Sequence, residues 1–162
     1  MLGRVLALTG QGDRAIAVLE KSVALNPSFA QGYYALGHTL NWYCRAADGI
    51  PILDMAMRLS PHDPMLWGMQ STRATCCISL ENYDEAVEWA HKVLSARPDL
   101  LWPHLELAVA LAGQDRLDEA RLAVEAAARP DASILRASGN SSSCISKWVA
   151  RAARIYVSSS LP

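Results

Sequence analysis

An all-α stack of helix hairpins is the fold this sequence predicts, on three observations. Prolines recur at Pro27, Pro61, Pro98 and Pro130, the first two 34 residues apart and the next 37, a period at which a helix pair is the expected repeating unit. Between them small and large apolar side chains return in one order, three or four residues apart, as one face of a helix requires. Polar residues and prolines also stand where those stripes start and stop.

The elements follow in order. The first unit, about 1–29, shows Leu2, Gly3 and Leu6 and then Ala15, Leu19 and Ser22, so the sequence enters the pattern about five residues late. The second, about 30–63, sets Tyr33, Leu36, Gly37 and Leu40 on one helix, and Gly49, Leu53 and Ala56 on another that Pro61 ends. Pro51, which removes a backbone donor and crowds the preceding turn, predicts that this second helix starts near Asp48 or Gly49.

The third unit, about 64–100, carries Trp67, Gln70, Ser71 and Ala74, then Tyr83, Ala86, Ala90 and Val93 before Pro98. Three extra residues are expected between its halves, around 76–80, lengthening a helix or its turn. The fourth, about 101–131, has His104, Leu107, Ala108 and Leu111, then Leu117, Ala120, Val124 and Ala127. Small residues such as Gly37, Gly49 and Ala56 let two helices cross closely while bulky ones fill the flanks. Asp63 before Pro64 reads as an N-cap with proline at the first helical position. Asn82 with Glu85 reads as a capping box, and Asp115 and Asp118 place negative charge at a helix start.

Composition bounds the function. A formal net charge of −1 and 51% hydrophobic residues describe a globular chain without an overall bias toward nucleic acid or anionic membrane. Up to Asp131 there are 11 basic and 16 acidic residues, whereas the last 31 hold Arg136, Lys147, Arg151 and Arg154 and no acid, which marks a boundary near 131. No apolar run reaches the roughly 18 residues of a membrane span, and the first residues do not read as an export signal, so a cytoplasmic location is expected. Cys44, Cys76, Cys77 and Cys144 form no metal or redox spacing and read as buried or part-buried thiols.

Residues 132–144, with Ser133, Ser138, Gly139, Asn140 and Ser141 to Ser143, read as a serine-rich linker. Residues 145–157 space Ile145, Trp148, Val149, Ala152 and Ile155 at helical intervals beside Lys147, Arg151 and Arg154. A cap over the last repeat is the leading reading of that helix. A basic contact with lipid or nucleic acid, or a tail without a selected role, are the others.

Catalytic constellations are poor. His38, His62, His91 and His104 lack zinc-ligand spacing, Gly10-Gln-Gly-Asp lacks the rest of a phosphate loop, and no nucleophile elbow occurs. Glu81, Asp84, Glu85 and Glu88 read as a solvated helix face. The sequence predicts no enzyme, no metal and no cofactor.

The repeat pattern resembles the tetratricopeptide repeat: Tyr33, Leu36-Gly37, Leu40, Gly49, Leu53, Ala56 and Pro61 match it, with Ala86, Ala90, Pro98, Leu107, Ala108 and Ala120 in later copies. The resemblance covers about 1–131 and implies a right-handed helix-turn-helix solenoid of about 3.5 repeats with a C-terminal capping helix. Gln70-Ser71 in place of Leu-Gly, and His104 for the aromatic, depart from the pattern. The segments beginning at Asn26 and at Leu53 also look like arrays that follow class III nucleotidyl cyclase or winged-helix domains in soil bacteria.

The family resemblance implies a concave groove on the first helices, suited to a peptide or helix. Its positions fall at Gln31, Tyr34, His38, Asn41 and Trp42, at Met65, Gly68, Thr72 and Thr75, and at Trp102, Leu105 and Val109. Tyr34, His38, Trp42 and Trp102 are the main contact candidates, with packing between repeats the competing role for each. The resulting expectation is a cytoplasmic, non-catalytic scaffold with a protein or peptide partner, without nucleic acid or membrane span, and dimerising through its end repeats. The alternative is a regulatory or oligomerisation fragment of a bacterial cyclase or transcription regulator.

Family members that grip acidic chaperone tails resemble one another in lysine, arginine and asparagine at groove positions, and no lysine or arginine occupies them here. An acidic C-terminal chaperone peptide is therefore expected not to bind at micromolar strength in a calorimetric titration. Micromolar binding would contradict this groove register.

Overall fold

The computed structural model describes residues 2–128. Among them are eight helices and no strand: α1 (Leu2–Leu8), α2 (Gly12–Leu25), α3 (Ala30–Trp42), α4 (Ala46–Leu59), α5 (Leu66–Ser79), α6 (Tyr83–Ala96), α7 (Leu101–Gly113) and α8 (Leu117–Ala128). Each odd-numbered helix pairs with the next to make a hairpin. The first helices of successive hairpins also touch, α1 with α3, α3 with α5 and α5 with α7, whereas the second helices make no comparable contact with one another. The stack therefore bends toward the side of the first helices. The linker expected at 132–144, the helix expected at 145–157 and Pro130 lie outside the described residues.

Every hairpin turn is closed alike. Gly10, Cys44, Glu81 and Asp115 adopt left-handed backbone, with φ of 78°, 62°, 59° and 60°. The next residue then donates its N–H to a carbonyl five positions back: Gln11 to Leu6 at 3.0 Å, Arg45 to Leu40 at 2.8 Å, Asn82 to Cys77 at 2.9 Å and Arg116 to Leu111 at 3.0 Å. This is the Schellman closure, which satisfies carbonyls left open at a helix end. The same four residues open the following helix, each accepting at its carbonyl the first helical N–H, from Ala15, Gly49, Ala86 and Ala120. Three of the four left-handed positions are not glycine, at a cost of about 1–2 kcal/mol each. Cys44 is exposed in its turn and disulfide-bonded, not the buried or part-buried thiol expected. Cys76 and Cys77 are buried and free.

Inside the first two hairpins a glycine on the first helix faces a leucine 16 positions later on the second. A Cβ on Gly3 would come within 2.6 Å of Leu19 Cγ, and one on Gly37 within 2.7 Å of Leu53 Cγ. Ala74 with Ala90, and Ala108 with Val124, keep the spacing and are equally buried. Leu53, Ala56, Ala86, Ala90, Ala108 and Ala120 are all fully inaccessible, as the repeat pattern requires.

Four expectations are corrected. All hairpin turns have three residues, so the α5–α6 turn is not lengthened. Instead the connection before α5 has six residues where α2–α3 and α6–α7 have four, and α5 has one residue more than α3. Helix α4 starts at Ala46 rather than near Asp48 or Gly49, with Pro51 inside it. The donor that Pro51 lacks would have met the carbonyl of exposed Ala47, which water can satisfy. Asp63 and Pro64 precede α5 instead of opening it, Asp63 Oδ1 accepting the Met65 N–H at 2.8 Å. Finally, Asn82 caps nothing by its side chain; its Nδ2 donates to Glu85 Oε2 at 2.8 Å, because the Schellman turn already sets the backbone there.

Arg73 occupies the position that Leu36 and Leu107 hold in neighbouring hairpins. Its guanidinium donates to Asp54 of α4 at 3.3 Å, to Glu85 of α6 at 2.6 Å and to Cys77 Sγ at 2.7 Å. Glu85 is thus part of an inter-helix ion pair rather than of a wholly solvated face. Burial is the first influence on both thiols, holding Cys76 and Cys77 up at about 12, so neither supplies a thiolate at neutral pH.

Leu53→Ala should cost about 2–5 kcal/mol in urea denaturation, because it empties an enclosed crossing. Leu25→Ala, at a side chain 77% exposed, should stay within about 0.5 kcal/mol. Equal effects at the two sites would contradict the crossing described.

Candidate functional site

Helices α3, α5 and α7, side by side on the inner face, enclose a groove of about 310 Å³. Helix α3 contributes Tyr34, His38 and Trp42, four residues apart and hence on one stripe. His38 meets Tyr34 edge to face at 6.2 Å between ring centres and stacks on Trp42 at 6.0 Å. Burial, and secondarily the charge of Arg4, push His38 below the usual histidine range, so this ladder carries no charge at neutral pH.

Helix α5 forms the middle of the groove with Trp67, Gly68, Ser71, Thr72 and Thr75. Gly68 makes room for the ladder: a Cβ there would lie 2.9 Å from the Tyr34 hydroxyl. Thr72 donates to the Gly68 carbonyl at 2.8 Å, and Thr75 to the Thr72 carbonyl at 2.8 Å, so both hydroxyls are engaged along their own helix. Burial raises the Tyr34 phenol above its ordinary value. Arg97 lies 5.9 Å from the Trp67 ring centre.

Helix α7 closes the groove with Trp102 and Glu106. Trp102 is 44% exposed and Glu106 only 2%. One carboxyl oxygen of Glu106 accepts from the Ser71 hydroxyl; the other, Oε2, has no hydrogen-bond partner. Burial raises Glu106 to about 8, against a small lowering by Ser71, so the acid is mostly protonated at neutral pH. Among the described residues no lysine or arginine lines this groove; Arg4 belongs to a smaller neighbouring pocket of about 70 Å³, with Tyr34, His38 and Trp42 on the shared wall.

Of the positions named from sequence, Tyr34, His38, Trp42, Gly68, Thr72, Thr75 and Trp102 come together here. The others do not. Asn41 is 1% exposed and ties repeats together, donating to Thr75 Oγ1 at 2.7 Å and accepting from Ser79 at 3.3 Å. Gln31 donates to both oxygens of Asp63 at 3.0 and 3.1 Å, which secures the long connection before α5. Met65 stands exposed ahead of α5. Leu105 and Val109 are 1% and 0% exposed and belong to the core cluster with Cys77, Ala86 and Ala120.

Trp67, Ser71 and Glu106 were missed, Trp67 having been read only as a residue of the repeat stripe. Placing the inserted residues after α5 instead of before it shifted the register of α5 by three, which moved Ser71 off the predicted groove. Glu106 had a signal: it is the single acid in the apolar run from residue 100 to residue 113. Among the described residues no cluster of three or more histidine, cysteine or acidic side chains could hold a metal ion. No described helix is long and apolar enough to cross a membrane.

A sequence profile for the tetratricopeptide repeat matches residues 1–29 and 70–100. A comparison with curated proteins gave no match. Among solved structures, MamA from Desulfovibrio magneticus RS-1 aligns at a TM-score of 0.73 and 15% identity, over 97% of this chain and 88% of that one. MamA of MSR-1 aligns at 0.67 and 23%, over 78% and 71%. A Podosopora anserina protein described as a kinesin light chain with nearly identical TPR-like repeats aligns at 0.70 and 20%, over 97% and 84%. The fold is that of a tetratricopeptide-type helical array.

Folded Glu106 holds its proton up to about 8 while the same side chain in the unfolded chain releases it near 4.5. The unfolded state therefore ionises first, and folding should lose stability as pH rises from about 4.5 to about 8, by a few kcal/mol, and level off above. Urea denaturation across this range checks it. Glu106→Gln should flatten that decline and be the more stable form at pH 8; parallel curves for the two chains would contradict the buried carboxyl.

Proposed function

We propose that this chain is a non-catalytic scaffold which holds a peptide or a helix of a protein partner in the groove of α3, α5 and α7. The observation that carries the reading is the gathering of Tyr34, His38, Trp42, Trp67 and Trp102 from three hairpins around one opening. Large amphipathic rings bury much area at little conformational cost and anchor interfaces accordingly. Groove hydroxyls already bonded along α5 leave the rings and Glu106 to meet a ligand. The working unit is the array of about 1–131.

Catalysis has no support in this groove. Its histidine is neutral, the thiols of Cys76 and Cys77 lie in the core with their protons held, and no nucleophile stands beside an ionised base.

The test is affinity capture with the purified chain, identification of bound proteins by mass spectrometry, and titration of the main partner. Trp42→Ala and Trp102→Ala should each weaken that partner by about 2 kcal/mol or more, roughly thirtyfold, with helical content unchanged. Unchanged affinity in both variants would contradict the groove as the contact, and loss of helical content would assign the rings to packing.

A further inference from the structure

We propose that Glu106 makes the floor of this groove a receptor for a positively charged side chain, so that the docked peptide is anchored by a lysine or an arginine. The inference rests on the groove-binding reading above and adds the chemistry of the occupant.

Glu106 Oε2 is the one buried side-chain nitrogen or oxygen among the described residues without a hydrogen-bond partner. Buried polar atoms are almost always satisfied, so an orphan calls for a reason. Glu106 lines an open groove, and a ligand that reaches its carboxyl can supply the missing donor. Ser71 holds the other oxygen and so fixes the direction in which Oε2 presents its lone pairs.

The surroundings favour a cation as that donor. Trp67 already takes the Arg97 guanidinium near its ring, and Tyr34, Trp42 and Trp102 line the same space; ring faces attract a cation that has left water. Among the described residues no cation reaches Glu106 Oε2: Arg97 is paired with Asp99, Arg73 is engaged by Asp54 and Glu85, and no described lysine or arginine lines the groove. An ammonium or guanidinium entering between the rings would meet a carboxyl group with an open oxygen.

Burial keeps the proton on Glu106 to about 8, and docking a cation would expel it. Burial and the Ser71 hydroxyl are the influences on this proton, although Tyr83 of α6 stands against Gly113 of α7 and Arg97 precedes the helix. Helix α3 offers Tyr34, whose phenol is raised above its ordinary value, and His38, which is lowered. Helix α5 offers Ser71, and the α6 and α8 residues packed in the α7 cluster include Ala86, Ala90, Ala120 and Val124. A cation that binds only the ionised carboxyl binds in proportion to the ionised fraction. Its affinity should therefore rise more than about tenfold between pH 6.5 and 8.5, a window in which lysine and arginine stay charged.

The experiment selects peptides from a random dodecapeptide display library on the purified chain at pH 8, and titrates the most enriched peptide from pH 6.5 to 8.5. Enriched sequences should share a lysine or arginine, replacement of that residue by norleucine should weaken binding at least about tenfold, and affinity should rise with pH as stated. Glu106→Gln, verified as folded by circular dichroism, should bind the peptide weakly and without pH dependence. Should that variant unfold, the pH profile of the native chain decides. Enriched peptides without basic preference, or a flat profile in the native chain, overturn the cationic anchor and leave groove binding standing. Failure to enrich any peptide overturns both.

Discussion

The structure depends on one steric constraint: in the first two hairpins a glycine on the first helix admits a leucine from the second, 16 positions on. Gly3 with Leu19 and Gly37 with Leu53 show it most directly, since a single added carbon on either glycine would lie within 2.7 Å of the leucine. Ala74 with Ala90 and Ala108 with Val124 keep the same spacing and the same burial with different volumes. A helix pair is closed only where both faces interlock. Because the spacing is kept along the chain, the four hairpins share one geometry and can stack.

Stacking then determines where function can reside. First helices touch across hairpins and second helices make no comparable contact, so the inner face brings α3, α5 and α7 together and collects their part-buried and exposed rings. The stack also explains why some polar residues are spent inside it. Asn41 and Thr75 join α3 to α5, Arg73 joins α4, α5 and α6, and each is satisfied by its neighbours. Glu106 is different, because Ser71 meets only one of its carboxyl oxygens while the other has no hydrogen-bond partner, and the residue lines the groove.

The fold was legible because it is written in apolar periodicity, and periodicity survives local substitutions such as His104 or Gln70-Ser71. The turns were less so. Schellman closure needs a left-handed residue, and glycine signals it only at Gly10, while Cys44, Glu81 and Asp115 take the same conformation without announcing it. Since the turns are the fixed points of the register, missing them misplaced the insertion and, with it, Ser71. Side-chain capping was over-read at Asn82 for the same reason: the backbone had closed that helix end already. Groove residues on α3 were legible as a stripe of rings. Burial of Leu105 and Val109, by contrast, is a property of the assembled core, which no single helix pattern reveals.

A double-mutant cycle between Gly37 and Leu53 tests the central constraint most directly. Gly37→Ala in the native background should destabilise, because the new carbon meets Leu53. In the Leu53→Ala background it should cost far less or nothing, since the leucine atoms are gone, only the Gly49 carbonyl remains at 3.3 Å, and alanine favours the helix by about 1 kcal/mol over glycine. The account predicts a coupling of about 1–3 kcal/mol between the two sites in urea denaturation. Effects that add to within about 0.5 kcal/mol would show that the crossing does not depend on this pair.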